Sequence, residues 1–159
     1  MDEVIPEPEG WQDSLTGLDG PDFWQRVLAA EVNRAARYGR ALTVILMELE
    51  GLEQAAAASG PGEVARVLRA AGQCLLRNSR PSEYCARIEG ARFGVILTET
   101  DEISAINFIE RVRAALPRAM PPSADGVLPR FGWASPRARE SAAAVVLRAD
   151  RRLADDPVG

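Results

Sequence analysis

Residues 83–97 read Glu83-Tyr84-Cys85-Ala86-Arg87-Ile88-Glu89-Gly90-Ala91-Arg92-Phe93-Gly94-Val95-Ile96-Leu97. Two short runs, 83–88 and 92–97, flank the tripeptide Glu89-Gly90-Ala91. Runs of this length and composition on either side of a glycine predict a β-hairpin. Gly90 is placed to take the backbone angle that residues with a Cβ avoid.

Upstream, the break Ser59-Gly60-Pro61-Gly62-Glu63 precedes Val64, Val67, Leu68, Ala71, Leu75 and Leu76. That spacing predicts a helix ending near Asn78. The apolar, partly β-branched run 41–47 predicts a buried central strand. A helix over 21–39 is expected to bury Phe23, Val27, Leu28 and Val32. Downstream, a helix from Asp101 to about Leu116 is expected to bury Ile103, Ile106, Phe108, Ile109 and Val112. Residues 121–126 read as a loop, 127–135 as a strand and 140–154 as a helix. Trp24, Phe93, Phe131 and Trp133 fall at core positions. Residues 1–12 are acidic and carry Pro6, Pro8 and Gly10, so they predict an extended arm with Trp11 as an anchor. Residues 13–159 then form one domain. The order of elements implies an α+β fold, a mixed β-sheet flanked by helices.

The 159 residues fit one core. The hydrophobic fraction of 47% and charged fraction of 26% are those of an ordinary globular domain. No apolar run approaches the roughly 20 residues that span a bilayer. Met1-Asp2-Glu3-Val4-Ile5-Pro6 has neither the basic nor the apolar part of a signal peptide, so a cytoplasmic location away from membranes is expected. Cys74 and Cys85 follow no metal-ligand spacing and read as reduced thiols near the core. Histidine is absent, so a metal would have to be a hard cation on carboxylates. Lysine is absent too. All 19 basic residues are arginine, against 23 acidic ones, and the formal charge is −4. Without a basic stripe interleaved with aromatics, this balance argues against a nucleic-acid partner.

Five segments in order carry a resemblance. Asp13-Ser14-Leu15-Thr16-Gly17-Leu18, Arg34–Arg40, Ala86–Phe93, Ile109–Arg113 and Ala149-Asp150 resemble the motifs of the GGDEF, or diguanylate cyclase, family. The resemblance implies a nucleotide-cyclase-like, ferredoxin-like fold with the signature on the hairpin. It also implies an activity in which two protomers each hold a GTP and condense them into cyclic di-GMP. Such chemistry depends on metal-bridged phosphates and accurate positioning.

At the matching positions the family's groups are changed. Glu48 stands for the first metal carboxylate and Ala91 for the second. Arg92 reverses the charge of the signature's acid, and Glu89 replaces its first glycine, while Gly90 and Phe93 keep the pattern. Glu48 with Glu50 reads either as a weak cation site or as a solvated rim. The guanine-reading positions carry Ala56 and Ala65, losing hydrogen bonds worth about 1–3 kcal/mol each when buried. Glu53 and Pro157 fall where phosphate lysines are expected. The resemblance therefore implies a member without cyclase activity, metal or cofactor.

The family also has a product-binding inhibitory site of the form R-x-x-D plus a helix arginine. Arg80-Pro81-Ser82-Glu83 and Arg111 match it, with Glu for Asp. An arginine fork suits phosphate or the Hoogsteen edge of guanine, and a carboxylate accepts from guanine N–H groups. The same residues also read as a solvated ion pair. The expectation is a catalytically inactive regulatory module of bacterial signalling, with cyclic di-GMP as ligand and a protein or a second copy as partner. The alternative is an interaction or dimerisation module that binds no nucleotide.

Overall fold

The computed structural model describes residues 5–60 and 62–157, apart from the Ala56 side chain. Residues 1–4 of the expected arm lie outside the described residues. The elements are α1 (Pro21–Tyr38), β1 (Leu42–Glu50), α2 (Leu52–Ser59), α3 (Glu63–Arg77), β2 (Tyr84–Glu89), β3 (Arg92–Thr98), α4 (Glu102–Ala119), β4 (Leu128–Ala134) and α5 (Ala142–Ala154). A single 3-10 turn, Pro122–Ala124, lies in the expected loop.

The fold is α+β, as the order of elements implies. The sheet order is β2-β3-β1-β4, and every neighbouring pair is antiparallel. The expected mixed sheet is corrected on this point. β1 and β2 do run in the same direction, but β3 lies between them, so no parallel ladder forms. The hairpin is where the sequence puts it, with Gly90 at φ +42° in its turn. Its register slips between Arg87 and Glu89, a local bulge beside the turn.

Helices cover both faces. Val44 and Leu46 of β1 point into a layer with Trp24, Leu28 and Val32 of α1 and Val145, Ala149 and Leu153 of α5. Ile45, Met47 and Leu49 point the other way, onto α3 and α4. Period-2 alternation in a strand buried on both sides explains its continuous apolar run. On the first face α5 sits very close. A Cβ on Gly132 of β4 would stand 1.9 Å from the Ala149 carbonyl oxygen, so only glycine fits there.

Local signals set the helix ends. Pro21 opens α1, and Gly39, at φ +62°, closes it with its N–H on the Ala35 carbonyl. Asp101 caps α4 by accepting from Ser104 N at 2.8 Å, and Ser141 caps α5. Several burial assignments change. Trp24, rather than Phe23, leads the buried stripe of α1. Ile103, 74% exposed, and Ile106 point outward, because Ala105, Ile109, Val112 and Leu116 define the inner face of α4. Leu76 is exposed, and Trp133 is only partly buried. The helix α2 covers Ala55–Ala58, a stretch without periodic apolar spacing in the sequence. Among the described residues, no helix is long and apolar enough to cross a membrane.

Candidate functional site

The hairpin turn and the end of β1 meet at one rim of the sheet. Glu48 of β1 lies directly across from Arg92 of β3. Arg92 Nε donates to Glu48 Oε1 at 3.3 Å, and its Nη1 donates to Asp150 Oδ1 of α5 at 2.7 Å. Burial alone would lower the Arg92 pKa, but the Glu48 and Asp150 carboxylates outweigh it and raise it above its usual value. A permanent cation therefore sits between these two carboxylates. Glu50, two residues on, pairs with Arg130 of β4.

Around this rim lies a cleft of about 410 Å³ bordered by Glu7, Glu48, Leu52, Glu53, Glu89 and Gly90. Ala91 offers no side-chain ligand there; its carbonyl accepts from Leu49 N at 3.1 Å. The Gly90 N–H points at the Glu7 carboxylate, 3.0 Å away. Glu53 and Glu89 are exposed, and Phe93 is fully buried in the core. Ala65 is a half-buried residue of α3, and Pro157 is exposed beyond α5. Ala56 falls within α2, with its side chain outside the described residues. Among the described residues no group of three or more Asp, Glu, Cys or His side chains comes together as a metal site would require. Glu48 already faces a guanidinium, and the other carboxylates of the cleft do not converge on it.

The turn before β2 carries the second set. Arg80 N donates to Glu83 Oε1 at 2.7 Å, and Glu83 N donates to the Arg80 carbonyl at 2.9 Å, so the turn closes on itself. Arg111 of α4 reaches the C-cap of α3 just before that turn, with Nη2 3.4 Å from the Asn78 carbonyl and its guanidinium 5.6 Å from the Phe108 ring centre. Arg80 borders a cleft of about 350 Å³ with Arg34, Arg40, Ser82 and Tyr84, and Arg111 is not on its wall. Arg80 and Glu83 thus share one turn, Arg111 reaches the helix end before it, and the three do not line one cleft. Arg34 and Arg40 carried no site role in the sequence, although they lie within a quoted motif. Arg40 pairs with Glu99.

A buried ion pair joins the hairpin to the N-terminal turn. Arg87, 1% exposed, donates Nε to Asp13 Oδ2 at 2.8 Å and Nη2 to Asp13 Oδ1 at 3.2 Å. Its Nη1 also donates to the Pro6 and Gly90 carbonyls, both at 2.7 Å. Asp13 further accepts from the Thr16 hydroxyl at 2.6 Å. Burial pushes the Asp13 pKa up, but Arg87 and Thr16 together carry it below its ordinary value. Both residues lie within quoted motifs but carried no site role there, yet an arginine in the middle of an otherwise apolar strand run was the available signal. The arm continues to Trp11, whose ring packs on Phe23 at 5.8 Å and beneath Arg26. Both cysteines are free and buried, and burial pushes the Cys85 thiol up to about 11.

Comparison with known proteins adds a common pattern. A family described as the diguanylate cyclase GGDEF domain matches residues 11–155. The diguanylate cyclase DosC of Escherichia coli strain K12 is 27% identical over 124 residues, covering 78% of this chain and 27% of that protein. The chain thus spans about a quarter of that relative's length. Among solved structures, the GGDEF domain of DgcB from Caulobacter crescentus in complex with c-di-GMP superposes with a TM-score of 0.84 at 20% identity, covering 92% of this chain and 90% of that one. The diguanylate cyclase SiaD of Pseudomonas aeruginosa, in complex with its activator SiaC, gives 0.79 at 24% identity, covering 91% and 56%. At these identities the structures establish a shared fold.

Proposed function

The chain belongs to the diguanylate cyclase GGDEF-domain family, and on that premise we propose that it is a catalytically inactive regulatory module of cyclic di-GMP signalling. The observation that carries this reading is the Arg92 guanidinium between Glu48 and Asp150. Cyclisation of GTP needs a metal ion that bridges phosphates and neutralises developing charge. A fixed guanidinium at this rim repels a divalent cation, and Ala91 brings no carboxylate to hold one. The cleft beside it presents Glu7, Glu53 and Glu89, charges that repel a triphosphate.

Cyclic di-GMP is the proposed ligand, and the turn of Arg80 and Glu83 with Arg111 is its proposed site. Arg80 is exposed, and the described residues offer its guanidinium no carboxylate within ion-pair distance. A phosphate or guanine edge is a suitable partner for that fork. A second reading, an interaction module without nucleotide, is favoured by one detail: Glu83 spends an oxygen on the Arg80 N–H rather than holding it toward a ligand.

Titration calorimetry with cyclic di-GMP and with GTP separates the two. The receptor reading expects saturable cyclic di-GMP binding, lost in Arg80→Ala and weakened in Arg111→Ala. Heat-silent titrations with both nucleotides would leave the interaction module.

A further inference from the structure

A basic groove runs along the outer face of α3 and shares no lining residue with either cleft above. Arg66, Arg69, Gln73 and Arg77 recur at i, i+3, i+7 and i+11, which aligns them on one side of the helix. All four are exposed. Ala70 lies among them, and Ala119, Met120 and Pro121 at the end of α4 form the opposite wall of a space of about 470 Å³.

Two of the three guanidinium groups are held in place. Arg69 Nε donates to the Leu15 carbonyl at 3.1 Å, and its Nη groups have no partner among the described residues. Arg66 is held at 2.9 Å by Glu63, whose carboxylate is fixed in turn by the Ser123 hydroxyl at 2.6 Å. Arg77 makes no hydrogen bond or ion pair within the described residues. On a chain of net charge −4, three arginines against one carboxylate are a local inversion of sign.

We propose that this groove docks an acidic amphipathic helix of a protein partner. Its carboxylates would pair with the arginine forks, a geometry that gives bidentate bonds. Its apolar side chains would rest on Ala70, Ala119 and Met120. At a rise of 1.5 Å per residue, Arg66 to Arg77 spans about 16 Å, or three turns of a partner helix. Exposed Leu76 beside Arg77 extends the apolar footing. The mixed basic and apolar lining matches the two faces of an amphipathic helix, whereas an anionic headgroup surface would answer only the charge. The inference rests on α3 and α4 alone and stands whether or not the Arg80 turn takes a nucleotide.

The test is fluorescence anisotropy of the full chain with a labelled helical peptide carrying glutamates on one face and leucines beside them. A matched peptide with glutamine for glutamate serves as control. The glutamate peptide should bind, and raising salt should weaken it steeply. Arg77→Glu and Gln73→Glu should each weaken it about tenfold, equivalent to 1.4 kcal/mol. Neither change removes a hydrogen bond or ion pair; Gln73→Glu should match the parent's thermal midpoint, and Arg77→Glu, in the last turn of α3, should lower it only slightly. Arg151→Glu, an exposed arginine outside the groove, should leave binding unchanged. Equal binding of the glutamine peptide, or equal loss in Arg151→Glu, overturns the proposal. So does capture of the chain by phosphatidylglycerol vesicles that the peptide cannot displace.

Discussion

Arg92 and Glu48 face each other across neighbouring antiparallel strands, and Arg92 closes a second pair with Asp150 of α5. The Arg92 guanidinium thus has a carboxylate partner on each side. It ties the hairpin to β1 and α5 at the rim of the sheet. Half-exposed pairs of this kind contribute about 0–1 kcal/mol each. Arg92→Ala should therefore cost about 1 kcal/mol in urea unfolding while the fold persists by circular dichroism.

The Arg87–Asp13 pair is different in kind, because both side chains are almost fully buried. Arg87→Met leaves an uncompensated carboxylate inside, a loss of about 3–5 kcal/mol. Asp13→Leu in the same chain should recover part of that loss, so the double variant is less destabilised than the two single changes added together. Chemical denaturation of the four chains measures this directly.

Acid should act through the same aspartate. The folded-state pKa of Asp13 lies below its ordinary value, so on acidification the unfolded chain takes up its proton first. The same holds for Glu140, held down at about 2 chiefly by its hydrogen bond to Arg148. Their stabilisation is complete above about pH 5 and is lost as the pH falls toward 2. Urea midpoints taken across that range should drop, and Asp13→Asn should flatten the slope.

Cys85 should be inert in the folded chain. With its thiol pushed up to about 11 and a hydrogen-bond contact to Ser79 at 3.1 Å, it holds very little thiolate near neutrality. Thiol-disulfide reagents should label it slowly in buffer and rapidly in urea. Fast labelling under native conditions would contradict the burial described above.

The fold was legible where apolar spacing is unambiguous. The 83–97 hairpin, the α3 stripe and the β1 run each carry one period, and one period gives one element. α2 was hidden because Ala55–Ala58 has high helix propensity but no apolar face to count. Ile103 and Ile106 misled for a related reason. They are apolar but fall off the stripe that Ala105, Ile109 and Val112 define, and only packing against the sheet selects between the two faces.

The site was legible by position but not by geometry. Sequence spacing put Glu48 and Arg92 at matching family positions, yet it could not bring in Asp150, 58 residues further along the chain. The carboxylate of Glu7 at the Gly90 N–H was equally out of reach, since an arm without periodicity says nothing of where it docks. Arg80, Glu83 and Arg111 were named together; Arg80 and Glu83 share a turn, while Arg111 turns to the Asn78 carbonyl at the end of α3.

The most direct measurement is an assay for pyrophosphate and cyclic di-GMP from GTP, with magnesium or manganese, at high concentrations of the chain. No product is expected with either metal, in the parent and in Arg92→Ala alike, because Ala91 still supplies no carboxylate. Metal-dependent formation of cyclic di-GMP that Glu48→Gln abolishes would contradict it.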